Sequence, residues 1–316
     1  MSAGNPAMAQ ASMRVAQLAE PQVTVIDASS TRLGECPLWD ADGQRLYYID
    51  SLSRHIISLR QDGTDRQLWT LPVIVGSIGL AGPGRFIAGL ENGFAFIDIS
   101  GPDAVIEPIC DPEADMAETR LNDGKVDPMG RYWCGSMSVD LSRPVGSLYR
   151  LDYDLTWTRV ETGITVSNGI AFSPDTTRLY FSDSRLDRSF QYDLDTASGA
   201  LSRRRRFVET SAYEGRIDGA TVDADGHYWG ALFEGAAIGC FDPDGRLLRK
   251  IAVPTRYPTM CSFGGSNLDI LFVTSATFLM SEEEIAAESA PGALFAISGL
   301  GVCGIAEPTF KVGKAQ

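Results

Sequence analysis

Histidine is scarce, with 2 in 316 residues. That leaves little room for a His-rich zinc site or a Ser-His-Asp triad. His55 sits in the strand-like SRHIISL and His227 in the turn DADGHYW, and both read as structural or solvated. Basic charge is also short: 27 Lys and Arg stand against 41 Asp and Glu, for a net charge of -14. Such a chain repels a phosphate backbone, so no nucleic-acid partner is expected. The one basic run, Arg203–Arg206, lies in ALSRRRRFVET, whose faces alternate, and reads as a solvated strand edge. There is no apolar run of about 18 residues, so no membrane-spanning helix is expected. The opening MSAGNPAMAQASMRVAQLAEPQ lacks the roughly 7–15-residue apolar core of a signal peptide. Residues 1–22 therefore read as a flexible tail, with some helical character around Met13–Leu18. The six cysteines (36, 110, 134, 240, 261 and 303) form no CxxC pair. Their apolar surroundings predict buried free thiols in a reducing cytoplasm.

Long helical patterns are nearly absent, and short β-rich runs recur in their place. DADGQRLYYID (40–50), DPMGRYWCGSM (127–137), SPDTTRLYFSD (173–183) and DADGHYWGALF (223–233) each join a polar turn to an aromatic, β-branched strand, a hairpin signature. AGPGRFIAGL (81–90) and SNLDILFVTSA (266–276) are weaker copies. Further strands follow, such as GSLYRLDYD, RSFQYDLD and GALFAIS. Repeats of about 40–50 residues with four strands each predict a six-bladed β-propeller, built from four-stranded antiparallel blades around a central channel. One such domain accounts for residues 23–314. Two details follow. Ser281 and Glu284 fit a capping box, which predicts a short helix. QVTVI near the start and PTFKV near the end both look like strands, able to close the ring in one blade and remove open edges.

Superposing the repeats on their first-strand apolar residues (Trp39, Leu80, Val126, Phe172, Val222 and Phe263) isolates a column four positions earlier. It reads Glu35, Gly76, Asn122, Asn168, Asp218 and Thr259. In a propeller the first strand of each blade lines the channel, so this column predicts side chains converging at one channel mouth. Carboxylates facing one another there repel and lose solvation unless a cation or protons compensate. The charges of Glu35 and Asp218 balance a divalent ion, with neutral oxygens from Asn168 and Asn122. Asn-Gly and Asp-Gly are also common turn pairs, the alternative reading of these residues. The D-x-D-G turns do not make EF-hands, because no acid stands at the twelfth position.

At Glu35-Cys-Pro-Leu-Trp39, Arg120-Leu-Asn-Asp-Gly-Lys-Val-Asp127, Ser167-Asn-Gly169, Asp218-Gly219 and Pro258-Thr-Met-Cys-Ser-Phe-Gly-Gly265, the chain resembles the regucalcin/gluconolactonase/luciferin-regenerating enzyme family. The resemblance runs from about residue 33 to 297. It implies a six-bladed propeller with one divalent ion and, in many members, hydrolysis of sugar lactones. Carried over, the metal ligands fall on Glu35, Asn168 and Asp218, and the substrate contacts on Arg120 and Asn122. Where close relatives of regucalcin have a glutamate, Gly135-Ser-Met-Ser-Val-Asp140 offers Asp140, one methylene shorter, as a third substrate contact.

The expected activity is opening of a sugar (aldono) lactone to its acid, with the metal polarising the carbonyl and Asp218 activating water. Oxygen ligands admit Ca²⁺, Zn²⁺, Mn²⁺, Mg²⁺ or Fe²⁺. No obligate protein partner is expected. The rival readings are a metal-dependent esterase or phosphotriesterase, and a non-enzymatic calcium-binding or scaffold propeller.

Overall fold

The structure, a computed structural model, describes residues 20–313. Among them, twenty-four strands form six four-stranded antiparallel sheets, each sheet one blade. The first strand, β1 (Gln22–Asp27), belongs to the last blade. Blade 1 is β2 (Gly34–Asp40), β3 (Arg45–Asp50), β4 (His55–Leu59) and β5 (Gln67–Thr70). Blade 2 is β6 (Val75–Gly82), β7 (Arg85–Leu90), β8 (Gly93–Asp98) and β9 (Val105–Cys110). Blade 3 is β10 (Thr119–Val126), β11 (Tyr132–Ser138), β12 (Gly146–Leu151) and β13 (Trp157–Ile164). Blade 4 is β14 (Ser167–Phe172), β15 (Arg178–Asp183), β16 (Arg188–Leu194) and β17 (Leu201–Glu209). Blade 5 is β18 (Arg216–Val222), β19 (Tyr228–Phe233), β20 (Ala237–Phe241) and β21 (Leu247–Ala252). Blade 6 is β22 (Pro258–Gly264), β23 (Ile270–Ser275), helix α1 (Glu282–Ala287) on the following connection, and β24 (Leu294–Ser298).

Each predicted repeat turn joins the inner strand of a blade to the second. In two of them one aspartate organises the turn. Asp127 accepts from Arg131 Nε at 2.6 Å and Trp133 Nε1 at 2.9 Å. Asp223 accepts from His227 Nδ1 at 3.0 Å and Trp229 Nε1 at 2.8 Å. Buried carboxylates require such donors, which explains the shared D-x-x-G-x-Y-W spelling. Ser281 and Glu284 form the expected capping box on α1. Arg203–Arg206 lies on the outermost strand β17, where Arg203 and Arg205 pair with Asp193 and Arg204 with Glu161.

β1 pairs antiparallel with β24 and closes the ring, as QVTVI predicts. PTFKV is not a strand. Pro308 has no N–H for a ladder, and the segment crosses between blades. Phe310 N donates to Leu80 O, Lys311 N to Gly130 O, and Gly313 N to Tyr153 O. Phe310 is buried against Phe96. The expected tail lies outside the described residues as far as residue 19, and Gln22 already belongs to β1. No described helix is long and apolar enough to cross a membrane.

Candidate active site at one end of the channel

The six column residues lie inside the inner strands, not before them, and in all six blades the ladder to the second strand is interrupted there. The register breaks fall at Glu35/Leu38, Val75/Ser77, Leu121/Gly124, Asn168/Ala171, Ile217/Ala220 and Pro258/Cys261. A β-bulge bends the strand and re-aims its side chains. It also frees backbone groups, which must find other partners. Neighbouring blades supply them. Asp123 Oδ2 accepts from Ile170 N at 2.9 Å, Tyr228 OH donates to Gly169 O at 3.0 Å, and Ser77 Oγ donates to Asn122 O at 2.6 Å.

Two column positions serve geometry. At Gly76 an added Cβ would lie 2.5 Å from Leu121 O and 2.9 Å from Asn122 Cα. A side chain there would push blade 3 outward. Thr259 is fully buried, and its hydroxyl bonds Gly34 O, tying the last blade to the first beside Glu35.

The other four, with Arg120, line one cavity of about 630 Å³. A hydrogen-bond chain crosses three blades and fixes the amides. Ser184 Oγ donates to Ile217 O at 2.6 Å, so it accepts from Asn168 Nδ2 at 2.9 Å. The amide oxygen of Asn168 therefore faces Asn122, whose Nδ2 donates to it at 3.1 Å and to Ser167 O at 3.0 Å. Asn122 Oδ1 in turn accepts from Arg120 Nη1 at 2.9 Å. Asn122 is thus engaged at both ends and orients Asn168 and Arg120. Arg120 spends Nη1 on Asn122 and Leu121 O, leaving its remaining donors without protein acceptors among the described residues. Burial pushes its pKa down, against the charges of Glu35 and Glu91.

Among the described residues no side-chain donor reaches the carboxylate of Glu35 or of Asp218. Burial, followed by the charges of Asp218 and Asp123, pushes Glu35 well above the usual carboxylate range. Burial and the charge of Asp123 do the same to Asp218. Asp123, itself pushed up to about 6 by burial, is the nearby charge that acts on both carboxylates, and the column did not isolate it. It directly follows Asn122, so its place in the Asn-Asp-Gly run was the available signal. No cluster of three or more His, Cys, Asp or Glu able to share an ion occurs among the described residues. The set here is mixed, two carboxylates with an oriented amide oxygen. Desolvated carboxylates with so few donors are costly, and all-oxygen ligands of this charge suit a divalent cation. The residues fit the group.

Asp140 does not join them. β11 ends at Ser138, and Asp140 is solvent-exposed beyond it. Its carboxylate accepts from Ser138 Oγ and Ser142 N and lies 3.6 Å from Arg143. Those bonds hold its pKa far below the usual range. Spacing within GSMSVD counts it as a pocket residue, but the chain turns outward first, and Val139 and Leu141 line the cavity in its place.

Six bulged inner strands thus converge on a mixed oxygen site at one end of a six-bladed propeller. Residues 33–277 match the SMP-30/gluconolactonase/LRE-like region, and the chain belongs to that family. It is 38% identical over 281 residues to a 6-deoxy-6-sulfogluconolactonase of Pseudomonas putida, covering 88% of this chain and 94% of that protein. A pentonolactonase of Haloferax volcanii is 36% identical, over 80% of this chain and 85% of its own. The crystal structure of a calcium-binding protein, regucalcin, from Agrobacterium tumefaciens superposes with a TM-score of 0.86 at 27% identity, covering 91% of this chain and 97% of that one.

Proposed function

We propose that the protein hydrolyses sugar lactones and that a divalent ion held by Glu35, Asn168 and Asp218 is required. The observation that carries the reading is the convergence of a half-buried and a buried carboxylate, neither with a side-chain donor, an oriented amide oxygen and a partly free guanidinium on one cavity. The lactonases among its relatives support the substrate class. When bound, the ion would supply Lewis acidity for an ester carbonyl and lower the pKa of water.

The chain's own residues do the rest. Asp218 takes the proton of the attacking water. The water oxygen bonds to the carbonyl carbon, the ring C–O bond breaks, and the ring oxygen leaves as an alcohol on the same molecule after gaining a proton. Arg120 presents its remaining donors to the carbonyl oxygen or an adjacent hydroxyl. Asn122 holds Arg120 and Asn168 in place. All six thiols are free, which supports a reducing, cytoplasmic setting.

The test is acid release from a panel of aldonolactones by chelated protein, with single ions restored. Opening that depends on a restored ion supports the reading. Opening that survives exhaustive chelation, or none above the buffer rate, overturns it. A second reading has its own observation. The rim carries Phe233 stacked on Phe278, and Phe278 and Leu279 remain 38% and 49% exposed. Such walls suit a less polar ester, so aryl acetates belong in the same panel. A higher kcat/KM on them than on any aldonolactone would favour that reading.

A further inference from the structure

Glu113 lies in the irregular stretch that carries the chain from β9 to β10, from blade 2 into blade 3. It is 8% exposed and lines the cavity, as do its neighbours Ala114 and Met116. One carboxylate oxygen is fully engaged: Oε1 accepts from Ser136 Oγ at 2.6 Å and Tyr149 OH at 2.8 Å. The Ser136 hydroxyl is itself fixed, because it accepts from Ser147 N at 2.8 Å. The other oxygen, Oε2, is buried and has no partner among the described residues. A buried carboxylate oxygen left without a donor costs free energy that a ligand donor would recover. Two donors on Oε1 also set the plane of the carboxylate, so a ligand need not order it.

We infer that Glu113 is a specificity-determining residue: its Oε2 accepts a hydrogen bond from one hydroxyl of a polyhydroxylated substrate, the role that spacing assigns to Asp140. The inference rests on the sugar-lactone reading for its substrate class, and it concerns binding, not the chemical step. Ser136 and Tyr149 are the positioning residues behind it.

The experiment separates the two claims. Binding of linear pentitols and hexitols, which cannot be hydrolysed, is measured by calorimetry on wild type, Glu113→Gln and Glu113→Ala. kcat and KM are then measured on aldonolactones and their single-deoxy analogues. Loss of a charge-assisted hydrogen bond predicts polyol affinity roughly tenfold weaker in Glu113→Gln and up to about 100-fold weaker in Glu113→Ala. The loss should appear in KM with kcat nearly kept, and vanish for the one deoxy-lactone lacking the hydroxyl that Glu113 reads. Ser136→Ala, which keeps the charge but frees the carboxylate plane, should fall between wild type and Glu113→Gln. Equal losses on every lactone, or a lower Tm with unchanged polyol binding, would overturn the inference and leave Glu113 a structural tether. Wild-type protein that binds no polyol would overturn it too. Failure to open any lactone while polyols still bind through Glu113 would instead count against the proposed reaction alone.

Discussion

The two ends of the channel treat buried charge in opposite ways. At one end Glu35 and Asp218 meet no side-chain donor and border a cavity of about 630 Å³. Three residues beyond Asn122 on the same strand, about 10 Å away at strand rise, Lys125 Nζ sits 2.8 Å from Glu307 Oε1. Ser262 Oγ adds a second bond to Glu307 Oε1 at 3.1 Å. Burial lowers the lysine's pKa, but the charge of Glu307 and its hydrogen bond outweigh this, and the net shift is upward. The void there measures only about 10 Å³. The closed end neutralises its charge internally and has nothing to offer a ligand. At the open end neither Glu35 nor Asp218 has a side-chain donor among the described residues.

Substitutions can break this contrast. Asp218→Asn should cut kcat by about 10²–10⁴ while still binding the ion, because an amide offers an oxygen but takes no proton. Kinetics on metal-loaded variant decide it, and near-normal kcat would reduce Asp218 to a ligand. At the other end, Lys125→Met should leave kcat/KM per folded molecule nearly intact but destabilise by about 3–5 kcal/mol, since Glu307 is left buried without its counter-charge. Denaturant melts measure this. Adding Glu307→Met should restore most of the loss, and failure to do so would mean that the pair does not act as a unit.

A smaller effect is expected at the ring seam. Burial raises the pKa of Asp27, but hydrogen bonds from Ser29, Arg66 and Tyr48 outweigh it and hold the carboxyl below its ordinary value. Its stabilisation is therefore present above the unfolded carboxylate pKa of about 3.9 and is lost as pH falls through the lower folded value. The stability gap between wild type and Asp27→Asn should be flat above about pH 5 and close below about pH 4. A gap that widens on acidification would refute the sign. The smallest effect belongs to Asp140→Asn. As an exposed turn residue it should alter no lactone's kcat/KM by more than about twofold, and reordered preferences would return it to the site.

The blades were legible because every repeat spells its turn and because inner-strand residues recur in register. Glu35, Asn122, Asn168 and Asp218 were legible for the same reason. The bulges were not, since a register slip leaves no composition signal; the one in β10 spans Asn122 and Asp123. Asp140 misled because spacing along GSMSVD assumes that the strand continues, whereas Ser138 ends it and takes the carboxylate. Glu113 was invisible because it belongs to no repeat and meets Ser136 and Tyr149 only through folding. PTFKV has the alternation of a strand, but its N–H groups serve blades 2 and 3 as a strap.

The central claim is that Glu35 and Asp218, which meet no side-chain donor, hold an ion that the closed end does not need. Calorimetric titration of divalent cations into chelated wild type, Glu35→Gln and Lys125→Met tests it most directly. The account predicts one ion per chain in wild type and Lys125→Met, and binding weaker by about tenfold or more in Glu35→Gln, which loses a charged ligand. Equal affinity in wild type and Glu35→Gln, or no bound ion in wild type, would contradict it.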